Sequence, residues 1–438
     1  MIEKLISVTL PQLIRHKSVQ NFIFLLIIQS SNILITLIVM PLLIQSIGVD
    51  QFGLVSLALS VILITNVFVG FGYNLSAPKQ VALNQKNKRK LSDILSNTIS
   101  SKLVLAVSAA LVLLIAVKGL GMFAAYQVIL TYSLLMLFSE ATLPVWFFQG
   151  MEKMKLVSVA NVFSKLLYLT GIVLFIHEPA DAKWVNFFFG GAGLSINLCV
   201  LFYLAVFLDI KFRFSAFTKI ISSWKTNLYL FLSSFASHIS VSGGLVVLSF
   251  FASAEILGMY SLAERVSMVL RLLPSMTIGA VFPNASKLYH QDQEAFIHFL
   301  LKVYRVILIG VVLITVVIFN LAPLIIKLLS GTVIIDSVEF LRILVFVPFL
   351  ATINIANMIM ILVTDQKKLL FNSSWIYCLF MLITAPLLTM WMGGKGLALA
   401  LVFTELVIFA TCSFQVRKYS PKLFNGFYQR FFGSYHRS

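Results

Sequence analysis

The sequence predicts an all-α polytopic membrane protein, and three observations lead to that prediction. Hydrophobic residues make up 60% of the chain, charged residues only 11%, and the mean hydropathy is +0.98, whereas about a quarter of a soluble domain is charged. Apolar runs recur along the whole chain, and a helix needs about 20 residues to cross a bilayer. Lysine and arginine are concentrated in the short segments between these runs.

Twelve apolar runs are predicted to be transmembrane helices. The first is not expected to be a cleaved signal peptide, because the segment before Gln20 is too long and too mixed, and no small-x-small site follows. The predicted spans are 20–44, 53–72, 102–120, 123–148, 156–176, 184–208, 228–251, 261–283, 303–326, 341–363, 370–392 and 396–415.

The distribution of basic residues predicts that both termini are cytoplasmic. The loops on one side of the predicted spans, together with the two tails, hold 23 of the 33 lysines and arginines. The opposite loops hold only Lys183, Lys327 and Lys395, and positively charged loops stay in the cytoplasm. The net charge of +17 is therefore a topology signal with some attraction to anionic lipids. It does not indicate nucleic acid, because the basic residues are not gathered on one face.

Two internal echoes predict a duplicated chain. Asp50 to Ala58 reads DQFGLVSLA and Glu255 to Ala263 reads EILGMYSLA, an offset of 205 residues. MEKMKL after the fourth span has a weaker echo, TDQKKL, after the tenth. Six helices per half give a parallel repeat, an arrangement that occurs in transporters. We therefore predict a six-helix bundle over 1–208, a cytoplasmic linker over 209–227, and a second bundle with a short basic tail over 228–438.

The stretch PVWFFQGMEKMK, residues 144–155, ends the fourth span. Its composition predicts that Trp146 lies in the interfacial aromatic belt and that Gly150 allows a tight turn into the fifth span.

This stretch, with GVDQFGLVSLA and ILGMYSLAERV, resembles the polysaccharide transporter family of the multidrug/oligosaccharidyl-lipid/polysaccharide exporter superfamily. Within that family the chain is most similar to bacterial O-antigen flippases of the Wzx type. The resemblance implies two six-helix bundles around a V-shaped central cavity in the bacterial inner membrane. It also implies transport of an undecaprenyl-diphosphate-linked oligosaccharide to the periplasmic leaflet. Membrane lipids and other polysaccharide assembly proteins are the further partners expected.

Such a substrate needs a cationic, polar cavity, so ionisable and polar residues deep in the spans are the candidate binding groups. An arginine fork suits a diphosphate, and a lysine adds a mobile charge. The alternative is internal pairing, for example of Glu140 with Lys165 or of Glu405 with Arg271, and an arginine near an outer helix end can extend to the interface. The candidate substrate-binding residues are Arg271, Lys165, Arg265, Asn161, Gln29 and Asn32.

A second set of residues is a candidate for ion coupling: Glu140, Glu405, Glu264 and His238. A buried carboxyl group can titrate near physiological pH, whereas His238 is better explained as a buried, hydrogen-bonded histidine. No P-loop or catalytic spacing is present, and the three cysteines lie in apolar runs. We therefore expect a carrier, with no metal, no cofactor and no enzymatic activity.

Two alternative functions are weighed against the flippase. A multidrug or cation antiporter of the same superfamily typically has an acidic residue in span one, and residues 20–44 contain none. A membrane-embedded glycosyltransferase or polymerase is expected to have a large outer loop, whereas the outer loops here are short.

Overall fold

The computed structural model describes residues 17–119, 121 and 124–433. All regular secondary structure in these residues is helical. The predicted amino-terminal tail up to residue 16 and the last five residues lie outside the described part.

The chain divides into two compact units, unit 1 from Met1 to His238 and unit 2 from Ile239 to Ser438. Helix α9 (Phe217–Ser242) contains the second half of the predicted linker, so only residues 208–216 connect the preceding helix to α9 without helical structure. The predicted bundle boundaries remain a prediction.

Unit 1 begins with long helices and contains one repeatedly interrupted span. Its helices are α1 (Lys17–Gly70), α2 (Tyr73–Leu83), α3 (Lys88–Leu114), α4 (Gln127–Ser133), α5 (Leu135–Thr142), α6 (Val145–Gly150), α7 (Met154–Phe175), α8 (Ala182–Phe207) and most of α9. A π-helical turn follows α3 at Ile115–Gly119, and short 3₁₀ turns occur at Ala124–Tyr126 and Pro179–Asp181.

Unit 2 also contains long helices and one interrupted span. After the end of α9 its helices are α10 (Gly244–Leu248), α11 (Ala254–Gln291), α12 (Gln293–Ser330), α13 (Ile335–Leu344), α14 (Phe346–Ile353), α15 (Ile355–Val363), α16 (Lys367–Tyr419) and α17 (Pro421–Phe431). The predicted tenth span is thus three short helices.

The described residues contain nine helical stretches that are long and apolar enough to cross a membrane. Two of them contain a glycine with non-helical backbone angles, Gly48 in α1 and Gly393 in α16, and each of these glycines separates two predicted spans. The predicted seventh span, 228–251, is not among the nine. Large apolar side chains such as Phe202 and Trp391 are exposed on outer helix faces, as expected for contact with lipid.

The WFFQG stretch is a packed core element, and two predictions about it were wrong. Trp146, Phe147 and Phe148 are all buried in one hydrophobic cluster of unit 1, so Trp146 does not lie in an exposed aromatic belt. A Cβ atom on Gly150 would lie 2.6 Å from the carbonyl oxygen of Pro78. Glycine is therefore required here because α2 and α6 approach closely.

The two echoed motifs adopt matching local structures. Glu152 and Asp365 have positive φ angles of 54° and 52°, so the corresponding acids of MEKMKL and TDQKKL both make the left-handed turn after a span. Ala58 and Ala263, at the ends of the longer motifs, are both fully buried. The sequence echoes therefore mark equivalent turns and packing positions.

The predicted basic tail is largely an ordered helix on unit 2. Phe427 of α17 is fully buried, and Arg430 Nη2 lies 2.7 Å from Glu294 Oε1. Tyr428 donates a hydrogen bond to Asn357 Oδ1 at 3.0 Å. Burial raises the pKa of the Tyr428 phenol, so it stays protonated and keeps this donor.

Candidate functional site

A polar cavity of about 260 Å³ lies inside unit 1. Its wall comes from the two arms of α1, the interrupted segment α5–α6, and helices α7 and α8. Nine of its seventeen lining residues are polar or charged: Asn32, Thr36, Asn66, Ser139, Glu140, Asn161, Ser164, Lys165 and Asn197.

The break between α5 and α6 shapes one wall of this cavity. Pro144 has no N–H and cannot continue the helical hydrogen bonds, and Leu143 N donates to Glu140 O at 3.4 Å. Asn197 Nδ2 of α8 donates to Ser139 O at 2.9 Å. The carbonyl group of Ser139 is thus satisfied by a side chain of a neighbouring helix, which fixes Glu140 at the end of α5.

Small residues bring α8 close to α5. A Cβ atom on Gly190 would lie 2.7 Å from Met136 N, and one on Gly193 would lie 2.3 Å from Ser139 Oγ. Such close helix packing through glycine is common in membrane proteins. It holds Phe189, which directly precedes Gly190, at the cavity.

Lys165 is the cation that lines this cavity. Its Nζ atom lies 3.8 Å from the centroid of the Phe189 ring. Within the described residues, no carboxylate lies within 4.0 Å of this ammonium group. A cation–π contact compensates only part of the charge, so Lys165 can interact with an anion.

Amide side chains surround Lys165. Asn161 lies one turn before it on α7, and Ser31 Oγ donates to Asn161 Oδ1 at 3.0 Å. In the described part of the chain, the buried Oδ1 atoms of Asn32 and Asn66 have no hydrogen-bond partner. Since buried polar atoms are normally paired, these two acceptors suit a hydroxyl group or water in the cavity.

Lys102 is a charged residue beside the cavity that was not among the predicted candidates. It is completely buried, and its Nζ atom lies 3.0 Å from Glu140 Oε1, a cavity-lining carboxylate. The predicted alternative pairing of Glu140 with Lys165 is therefore wrong. The predicted span 102–120 begins at Lys102, but α3 begins at Lys88 and places Lys102 four turns inside the helix. The serine-rich sequence before Lys102 was the available signal.

Unit 2 contains a separate buried ion pair. Arg271 Nη2 of α11 donates to Glu405 Oε1 of α16, and the side chain of Glu405 is 5% exposed. This is the internal pairing that the sequence left open as an alternative. Glu264 is also buried, two turns before Arg271, with Arg265 partly buried beside it.

The structure groups the remaining predicted residues as follows. Lys165, Asn161, Asn32 and Glu140 line the unit 1 cavity. Gln29 is exposed and is not among the lining residues. His238 is exposed rather than buried, with Nδ1 2.9 Å from Ser234 O. Across the described residues, no group of three or more His, Cys, Asp or Glu side chains could hold a metal ion.

Sequence comparison gives consistent matches over most of the chain. A family model described as "Polysaccharide biosynthesis protein" matches residues 18–289. A protein of Escherichia coli K12 named "Putative O-antigen transporter" is 24% identical over 392 residues, which is 89% of this chain and 94% of that protein. A protein of the same name from Shigella dysenteriae is 27% identical over 404 residues, covering 89% and 97% of the two chains.

Structural comparison identifies the fold. An inward-facing multidrug resistance MATE family transporter of the MOP superfamily matches with a TM-score of 0.72 and 15% identity, covering 89% of this chain and 95% of that chain. The lipid II flippase MurJ, in an inward closed conformation, matches with a TM-score of 0.71 and 15% identity, covering 95% and 94%. The fold is therefore that of MATE and MurJ.

Proposed function

Because the chain belongs to the polysaccharide biosynthesis protein family and two similar proteins are named putative O-antigen transporters, we propose that it is a flippase and not an enzyme. It moves an undecaprenyl-diphosphate-linked oligosaccharide, an O-antigen or related repeat unit, from the cytoplasmic to the periplasmic leaflet of the bacterial inner membrane. The observation that carries this proposal is Lys165, a cation in a cavity with many polar side chains that has no carboxylate partner among the described residues.

The chemistry of the cavity suits parts of this substrate. Lysine is a compact, mobile point charge that can follow a phosphate group. The carboxamides of Asn32 and Asn161 can bind sugar hydroxyl groups, and the unpaired Oδ1 atom of Asn32 accepts from such a group. The Phe189 ring offers an apolar face. In this proposal Lys165, Asn161 and Asn32 bind the headgroup during its passage.

The proposed passage requires alternating access in the inner membrane. We propose twelve spans in two six-helix bundles around a V-shaped cavity, with both termini cytoplasmic. The asymmetry of lysine and arginine between the loops supports this orientation. Rocking of the bundles would then expose the headgroup first to the cytoplasm and then to the periplasm.

Arg271 and Arg265 belong to the same proposal as the cations of unit 2. Arg271 is already paired with Glu405, so an incoming diphosphate has to compete with that carboxylate. Such competition would link substrate binding to the charge state of Glu405, since protonation of Glu405 releases the arginine. Glu405 and Glu140 are accordingly the proposed coupling carboxylates, with Glu264 buried nearby on α11.

A multidrug or cation antiporter is the second candidate. The observation that favours it is Glu140, an acidic residue on the wall of the unit 1 cavity. However, Lys102 neutralises this carboxylate at 3.0 Å, and Lys165 lines the same cavity. A cationic drug would therefore meet a net positive site.

Deleting the gene and fractionating the lipid-linked saccharides distinguishes the two functions. The flippase proposal predicts loss of the surface polysaccharide, with complete repeat units accumulating on the lipid carrier in the cytoplasmic leaflet. Unchanged surface polysaccharide together with altered drug tolerance would contradict it and favour the antiporter.

A further inference from the structure

The segment that connects α8 to α9 runs along one face of α3. Ile210 anchors it, because this side chain is buried in the hydrophobic cluster of unit 1 and its N–H donates to Leu204 O at 3.0 Å. The residues that follow, up to Ala216, are non-helical. The side chains of residues 211–214 are exposed, although the backbone is held in place.

Three serines of α3 hold this backbone. The backbone N–H groups of Lys211, Arg213 and Ser215 donate to serine Oγ atoms at 3.1, 2.9 and 3.0 Å. The acceptors are Ser92, Ser96 and Ser100. Alternate residues of an extended chain advance about 6.6 Å and four helical residues about 6 Å. The two spacings match, so the segment is fixed in register.

This arrangement gathers five cations around an open surface pocket of about 760 Å³. The cations are Lys88, Arg89, Lys211, Arg213 and Lys219, against two acids, Asp93 and Asp209, a net charge of +3. Among the described residues, only one of the five cations has a carboxylate within 4.0 Å. This is Lys211, whose Nζ atom lies 3.6 Å from Asp209 Oδ1. The pocket therefore has unneutralised positive charge.

Exposed phenylalanines lie among these cations. Phe212, Phe214 and Phe217 are 41%, 63% and 58% exposed. They follow Phe207, the last residue of α8, which is 70% exposed on a helix that is apolar enough to cross a membrane. Exposure of several phenylalanine rings to water is unfavourable. Aromatic rings beside cations suit the boundary between lipid headgroups and acyl chains.

We propose that this connector surface, formed by the five cations and the three phenylalanines, binds the phosphate headgroups of anionic phospholipids. The cations contact the phosphates while the rings insert beside the acyl chains. Because the serines of α3 pre-order the backbone, binding does not require the segment to fold first. The surface would bind lipid whether or not the protein carries an oligosaccharide.

The test measures the thermal stability of the detergent-purified full-length protein during titration with phosphatidylglycerol or phosphatidylcholine. A ligand that binds only the native state raises the unfolding temperature. We expect phosphatidylglycerol to stabilise the wild type and phosphatidylcholine to have little effect. Lys211→Ala/Arg213→Ala should weaken the apparent phosphatidylglycerol affinity about 10- to 30-fold, since each basic residue near an anionic lipid contributes about five-fold.

The matched control is Arg417→Ala/Lys422→Ala, which removes one arginine and one lysine from exposed positions of unit 2. Phe214→Ser tests the apolar part of the surface and should also weaken the phosphatidylglycerol response. Equal phosphatidylglycerol responses in the two double variants would overturn the proposal. So would stabilisation by undecaprenyl diphosphate but not by phosphatidylglycerol, because the surface would then capture the lipid carrier.

Discussion

Two lysines within the helices of unit 1 have different partners. Lys102 is fully enclosed and forms an ion pair with Glu140, whereas Lys165 lies against the ring of Phe189. A paired lysine adds little net charge to the cavity, so the positive character of the site comes from Lys165. This difference assigns Lys102 a structural role and leaves Lys165 for the ligand.

Replacing Lys102 with Met should destabilise the protein by about 3–5 kcal/mol, because it leaves the Glu140 carboxylate without its partner. The double variant Lys102→Met/Glu140→Leu should recover most of that loss. Thermal unfolding of the purified protein and its membrane abundance measure both effects. A single variant as stable as wild type would show that the pair does not hold α3 against α5.

In unit 2, variants of the Arg271–Glu405 pair distinguish a substrate-binding role of Arg271 from a purely structural one. If Arg271 contacts the diphosphate, Arg271→Ala should lose most of the polysaccharide export per molecule in the membrane, although its abundance also falls because Glu405 is left unpaired. Arg271→Lys should keep part of the export. Export is measured by complementation of a deletion strain, normalised to membrane abundance. Full activity of Arg271→Ala, or rescue by Arg271→Ala/Glu405→Gln, would exclude the binding role.

At the scale of the helices, interruptions and glycines bring the polar residues together. The helix α5 ends just after Glu140, which pairs with Lys102, and Gly190 and Gly193 let α8 bring Phe189 to Lys165. The sequence predicted the polar stripe of Asn161 and Lys165 on α7 from helical spacing. Hydrophobicity could not predict the breaks at 134, 345 and 354, because they fall inside continuous apolar runs.

Gly150→Ala tests the packing of α6 on α2. The new methyl group would overlap the carbonyl group of Pro78, and overpacking costs about 1–3 kcal/mol. Gly279→Ala is the matched control, because a Cβ atom there has no atom within 4 Å and removing a helical glycine stabilises by about 0.5–1 kcal/mol. The unfolding temperature should fall in the first variant and not in the second. Equal temperatures would contradict the close helix contact.

At the scale of the whole molecule, the sequence predicted the helical membrane class, because composition and long apolar runs report directly on contact with lipid. The transporter family was predicted from the resemblance of its loop motifs. The partners in the buried ion pairs could not be predicted from the sequence. Lys102 and Glu140 are 38 residues apart and Arg271 and Glu405 are 134 apart, and no local periodicity relates such positions. Trp146 was mistaken for an interfacial residue because a span end and a buried core have the same aromatic composition.

The orientation of the loops follows from the basic residues and can be measured directly. Single cysteines at Asn87 and Asp336, both exposed, are introduced into a background in which Cys199, Cys378 and Cys412 are replaced. An impermeant thiol reagent applied to intact cells should label position 336 and not position 87. Labelling of position 87 alone would reverse the orientation.

The most direct test of the central claim is transport by the purified protein in proteoliposomes that contain a lipid-diphosphate-linked oligosaccharide. The fraction of headgroups accessible from outside is followed after reconstitution. The account predicts rapid exchange between leaflets for wild type and for Lys155→Ala, an exposed lysine on the same helix, and at least a ten-fold slower exchange for Lys165→Ala, a barrier increase of about 1.4 kcal/mol. Wild-type exchange no faster than in protein-free vesicles, or equal rates for the two lysine variants, would contradict it.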